Sequence, residues 1–167
     1  MRMESAASAK GRGVRNPRPR EGTKLRAIHD LFVVDETALS EWSTALGEDA
    51  ALADHLPLGD AGGVVGIARN RYTGEPVAGL EIVSLTNGEA TEAIVRYLQE
   101  DGSFAEGTTT ATGIYAILNP MLAEEFEASL DGAIVSTRAN KAGSGAPGVF
   151  TMNLTIDVDP GFEPFGR

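Results

Sequence analysis

Cysteine is missing from this chain, and histidine occurs only twice, at His29 and His55. Without thiols there is no disulfide framework and no thiolate metal site, and cysteine usage leaves the redox compartment open. Aromatic side chains are scarce, with six Phe, three Tyr and one Trp in 167 residues. A core consumes most of such a supply and leaves little for stacking on bases or sugar rings. No apolar run approaches the roughly 18–20 residues that span a bilayer. The N-terminus is basic but lacks the apolar stretch of a secretory signal. The chain as given therefore reads as soluble, with its location unknown.

Positive charge is also scarce, except at one end. Residues 1–26 carry eight basic side chains (Arg2, Lys10, Arg12, Arg15, Arg18, Arg20, Lys24, Arg26) against Glu4 and Glu21, a net of +6. The overall net charge is −10, so residues 27–167 hold six basic and 22 acidic residues, a net of −16. Opposite signs in two parts of one chain point to an arm that binds something negative. The arm has almost no large apolar residues, while Gly11, Gly13, Pro17 and Pro19 interrupt it, so it cannot build a core of its own. A plain solvated tail is one reading of it, and a tether to the acidic surface of a neighbouring subunit is another. Nucleic-acid binding is the weakest, because no aromatic residue interleaves with the arginines to stack bases.

Twenty Gly and eight Pro favour a turn-rich β fold over a helical bundle. After an apolar stretch from Leu25 to Val34, Asp35 is a plausible N-cap, Leu39, Trp42 and Leu46 recur at helical spacing, and Gly47 is a fair stop. Asp49 to His55 can add one or two helical turns. Pro57, Gly59, Gly62 and Gly63 mark a boundary, beyond which the period becomes two. Strands are expected around Val64–Ala68, Leu80–Val83, Glu92–Leu98, Ile114–Leu118, Phe126–Leu130, Ala133–Arg138 and Val149–Val158. In the last, Phe150, Met152, Leu154 and Ile156 should be buried and Thr151, Asn153 and Thr155 wet.

Two stretches carry a family resemblance. Gly66-Ile67-Ala68-Arg69-Asn70-Arg71-Tyr72-Thr73-Gly74-Glu75-Pro76-Val77-Ala78-Gly79-Leu80-Glu81-Ile82 reads as a strand, a turn closed by Thr-Gly-x-Pro, and a second strand. Thr110-Ala111-Thr112-Gly113-Ile114-Tyr115-Ala116-Ile117 reads as a tight turn feeding an alternating strand. Together they resemble the carboxypeptidase regulatory-like (transthyretin-like) β-sandwich family. The resemblance implies a mainly β, antiparallel Greek-key sandwich of about seven strands over residues 62–159. Ahead of it come a helical segment and linker at 27–61 and the extended arm at 1–26; a tail follows at 160–167. It also implies a hairpin with Gly74 at positive φ. Thr110 stands where that family usually has Asp, and the long span from Val83 to Thr109 suggests a protruding hairpin or lid.

Catalytic patterns are thin. No Gly-x-Ser-x-Gly elbow, His-Glu-x-x-His pair or phosphate-cradling glycine loop follows a strand. Gly143–Gly148 reads as a hairpin loop. A dioxygenase-type iron site would need Tyr72, Tyr97, Tyr115, His29 and His55 to converge, yet Tyr115 reads as the core residue of its strand. Glu124-Glu125-Phe126-Glu127 and Asp157-Val158-Asp159 could offer oxygen ligands to calcium, although solvated faces are the commoner outcome. The expectation is therefore a non-enzymatic structural or interaction subunit of a larger protein assembly, with no cofactor. Its partner-binding candidates are Arg12, Arg15, Arg18, Arg20, Trp42, Phe162 and Phe165. A carbohydrate-binding accessory module is the alternative.

Overall fold

Asp35 sets where the first regular element begins. Its backbone is extended, and its Oδ1 accepts a hydrogen bond from the Ala38 amide at 2.8 Å, satisfying a donor that the first turn leaves open. Helix α1 follows over Glu36–Leu46 and ends at Gly47, whose amide donates to the Ser43 carbonyl at 3.0 Å. Asp49 repeats the device with the Ala51 amide at 3.0 Å and opens a 3₁₀ helix, Ala50–His55. Both elements fall where periodicity and capping residues place them. The computed structural model from which these positions come describes residues 32–120, 124–136, 141–142 and 147–158, the pair 141–142 for backbone only. Arg12, Arg15, Arg18, Arg20, His29, Phe162 and Phe165 lie outside the described residues.

The remainder is mainly strands in two sheets. The first sheet has the order β10(Phe150–Ile156), β1(Val64–Asn70), β6(Ile114–Leu118), β4(Ile94–Leu98), β5(Phe104–Ala105). The second has the order β3(Glu89–Ala90), β2(Glu81–Thr86), β7(Glu124–Leu130), β8(Ala133–Ile134), with β9(Lys141–Ala142) also paired to β7. The sheets bury one cluster together. Val64, Ala68, Tyr115, Ile117, Met152, Leu154 and Ile156 come from the first and Ile82, Phe126 and Ala128 from the second. On the far side of the first sheet, Val65, Ala116 and Leu118 pack under Leu46, Leu52 and Leu58 of the helical segment, with Leu39 and Trp42 partly buried beside them. Strand β1 is thus covered on both faces, which explains its near-continuous apolar run.

Four expectations need correction. The strands around Ile67 and Ile82 do not form a hairpin, because β1 belongs to one sheet and β2 to the other. Only a bridge between Arg69 and Pro76 pairs antiparallel near the turn, and the chain then crosses over the core at Val77–Leu80. Period-two alternation reports which residues face a core and is silent on which neighbour a strand bonds. Second, the sheets are not wholly antiparallel, since β10 runs parallel to β1 from Val64 opposite Phe150 to Asn70 opposite Ile156. Third, Phe150 is 45% exposed while Met152, Leu154 and Ile156 are buried. It is the first residue of an edge strand, where alternation continues but the opposing sheet does not. The segment between Val83 and Thr109 is also more than a protrusion, as it supplies β4, which pairs with β6 inside the first sheet.

The turn itself is built as its sequence suggests. Asn70 Oδ1 accepts from the Tyr72 and Thr73 amides at 2.8 and 3.1 Å, and Gly74 takes φ 76°, a conformation that side chains disfavour. Gly66 is required for a different reason. A Cβ there would run into the Tyr115 ring and lie 2.8 Å from the Met152 carbonyl oxygen. Substituting Leu154, which is fully buried, by Ala should cost about 2–5 kcal/mol in chemical denaturation, while Phe150→Ala should cost less than half as much. Equal losses would mean that both side chains sit in the core.

Candidate functional site

The helical layer places Trp42 at an anchoring position. Its ring meets Phe104 of β5 edge to face, with centroids 6.1 Å apart and planes at 74°, so it ties α1 to the rim of the first sheet. Ser43 reinforces the same seam, donating to the Leu39 carbonyl at 2.7 Å and accepting from the Leu58 amide at 3.0 Å. An open groove of about 760 Å³ runs between α1 and the 3₁₀ helix, floored by Leu39, Ala53, Leu56 and Leu58.

Arg96 is the polar counterpart of Trp42. It projects from β4 with its side chain only 11% exposed, and its guanidinium lies 3.1 Å from Asp49 and 3.0 Å from Glu106. One cation thereby joins the cap of the 3₁₀ helix to the loop after β5. The hydrogen bond from Arg96, aided by the Ala51 amide, holds the Asp49 carboxyl below the usual carboxylate range.

Tyrosine and threonine hydroxyls hold the crossover between sheets, a role that the sequence reading did not assign to them. Tyr97 Oη of β4 accepts from the Ile82 amide of β2 at 2.8 Å, and burial pushes its phenol up. Thr109 is buried; its hydroxyl donates to the Val77 carbonyl at 2.8 Å and accepts from the Leu80 amide at 2.9 Å. Thr110 accepts from the Thr112 amide at 3.3 Å, as Asp would in that place, and donates to the Leu98 carbonyl at 2.7 Å, as ionised Asp cannot. The Thr-rich run carried the signal in its composition. Its meaning depended on which backbone groups the fold brought near.

The acidic clusters separate. Strand alternation turns Glu124 into the interior, 1% exposed, and Glu125 and Glu127 outward, so the three carboxylates cannot share one ion. Asp157 pairs with Arg71 at 3.1 Å. Among the described residues there is no group of three or more His, Cys, Asp or Glu able to hold a metal ion. Tyr115 is fully buried in the core, where desolvation pushes its phenol up, while Tyr72 is 50% exposed. His55 lies in the last turn of the 3₁₀ helix.

Glu124 has another peculiarity: both carboxylate oxygens are buried without a hydrogen-bond partner, as are the hydroxyls of Ser84 and Thr86 on the same inward face of the adjoining strand. A polar cleft of about 390 Å³ opens at this end, lined by Thr86, Asn87, Glu89, Thr91, Glu92 and Asn119.

Comparison with family models, curated proteins and solved structures gives no significant match for the chain. No described helix is long and apolar enough to cross a membrane.

Two measurements probe these groups. Because the folded-state pKa of Asp49 is depressed, its contribution is present at neutral pH and is lost as pH falls through that folded value. The stability gap between the parent chain and Asp49→Asn, read from denaturation midpoints, should therefore be present near pH 7 and shrink below about pH 4. A gap unchanged by acid would show that the Arg96 contact does not depend on the charge. For the buried carboxylate, Glu124→Leu should raise stability by about 1–3 kcal/mol by removing an uncompensated polar group. A loss of similar size would show that something satisfies Glu124 in the native protein.

Proposed function

We propose that this chain is a non-catalytic structural or interaction subunit of a larger protein assembly, held to its neighbours by basic residues 1–26. The charge division carries this reading. Residues 1–26 have a net charge of +6 and residues 27–167 a net of −16. The body's described arginine side chains are already engaged. Arg71 pairs with Asp157, Arg96 with Asp49 and Glu106, and Arg69 donates to the Gly74 carbonyl at 2.8 Å. Cations available to a second molecule are thus concentrated in the arm, and anions in the body.

We also propose that the two sheets form a Greek-key β-sandwich of the carboxypeptidase regulatory-like kind. Gly74 at φ 76°, the strand Ile114–Leu118 with its core Tyr115, and a chain that changes sheet between β1 and β2 and again between β6 and β7 support that assignment. Modules of that architecture hold and space other parts, in keeping with the subunit reading. The carbohydrate-binding alternative draws on the exposed rings of Tyr72 and Phe150, 50% and 45% accessible.

The test lowers the arm's net charge from +6 to +2 in the full chain by Arg12→Ser, Arg15→Ser, Arg18→Ser and Arg20→Ser. The thermal transition should be unchanged, because this stretch has almost no large apolar side chains with which to join a core. Co-purification with the parent's assembly partners should be lost, and the parent complex should weaken as salt rises from about 0.05 to 0.5 M. Assembly that survives this loss of charge would reduce the arm to a solvated tail and remove the subunit reading.

A further inference from the structure

The two outer faces of the molecule are treated differently by the fold. The first sheet is roofed by the helical layer through Leu46, Leu52 and Leu58. Among the described residues no helix or strand covers the outward face of the second. On that face the pleat sets Glu81 and Val83 of β2 beside Ser129 and Glu127 of β7, in direct register. Ile134 of β8 continues the row opposite Ser129. Val83 is 38% exposed and Ile134 66%. The result is a strip of carboxylates with Val83 and Ile134 set apart on its two flanking strands.

We propose that this face is the docking surface for residues 1–26 of a second copy of the chain. The inference rests on the subunit reading above and names the receiving surface. Arginine suits such a strip better than any other side chain, since its methylene stem lies on apolar area while its planar head donates in pairs to a carboxylate. Arg12, Arg15, Arg18 and Arg20 recur every two or three residues, with Pro17 and Pro19 favouring an extended course that can follow a strand.

Position argues for a second copy over the same molecule. Phe32 and Val34, where the described chain begins, pack in the outer cluster on the first sheet. The described chain therefore begins on one outer side, and the acidic strip lies on the other. Copies stacked head to tail bring the arm of one directly to the strip of the next. Such a contact is heterologous and can propagate or close into a ring.

Sedimentation velocity on the full chain tests this with three samples. The parent should self-associate at low salt and dissociate at about 0.5 M salt. Glu81→Lys with Glu127→Lys keeps an intact arm but reverses the strip, and should weaken self-association by roughly tenfold or more. The four-arginine variant keeps an intact strip but has its arm reduced from a net of +6 to +2, and should be monomeric. Mixing the two variants should restore a one-to-one dimer, because each supplies the half that is weakened in the other. Near-ultraviolet circular dichroism of each variant should match the parent. If the strip variant associates like the parent while the arm variant does not, the receiving surface is wrong and the tether reading stands. If the arm variant also associates, both fail. A parent monomeric at every salt concentration, or a mixture that does not dimerise, overturns the second-copy assignment.

Discussion

The rest of the structure depends on the double burial of one strand. β1 lies between β10 and β6, and apart from the half-buried Arg69 its residues are hidden. Val64 and Ala68 face the other sheet while Val65 faces the helical segment. A strand with both faces apolar cannot be left at the surface of a two-sheet structure, so something must roof it. The residues from Asp35 to Leu58 do so, and that requirement gives a short α-helix and a two-turn 3₁₀ helix a defined place. Isolated helices of this length are marginal in water, so α1 persists because Leu46 and its neighbours have a surface to cover. Trp42 and Arg96 then secure the layer from its two ends, one through ring packing on Phe104 and one through paired carboxylates.

This explains which features could be seen in the sequence. Local signals were reliable where a local cause dominates: Asp35 caps, Gly47 stops, and Ile114–Leu118 is a strand with its bounds as expected. The face of a strand was also legible, since Met152, Leu154 and Ile156 are buried together. Pairing was not. Nothing in the composition of β1 and β2 states that they lie in different sheets, because the information sits in the crossover. There, Gly79 donates to the Thr109 carbonyl at 2.7 Å and Thr109 holds Val77 and Leu80 through its hydroxyl. A threonine in a polar run has many possible partners, and only the assembled fold selects among them. The site candidates divide in the same way. The helical spacing of Trp42 was readable in the sequence, while its contact with Phe104 and the separation of Glu124 from Glu125 and Glu127 followed only from the fold.

The interior near Glu124 departs from the usual rule that buried polar groups are paired. Its carboxylate, the Ser84 hydroxyl and the Thr86 hydroxyl share the inward side of two adjoining strands, at the end where the polar cleft opens. Tyr115 is a milder case, with its hydroxyl unpaired against Gly66, whose lack of a side chain makes the room. The two differ in what they cost. A phenol hydroxyl is a small polar tip on a large apolar ring, so burial of the ring offsets it. A carboxylate has no such compensation, so its burial costs more than that of the phenol.

Charge completes the picture at the level of the whole chain. A body with a net of −16 over residues 27–167 repels itself and its copies. That self-repulsion opposes association between bodies and weakens as salt rises. The described arginines are engaged within the fold, Arg96 by Asp49 and Glu106, Arg71 by Asp157 and Arg69 by the Gly74 carbonyl. Eight of the fourteen basic residues fall instead within residues 1–26. On the proposed docking, this division separates two demands that would conflict on one surface. The body keeps its outward strand positions acidic, and attraction enters through the arm. Partner choice would then rest on opposite charge, with the contact of one acidic body on another disfavoured.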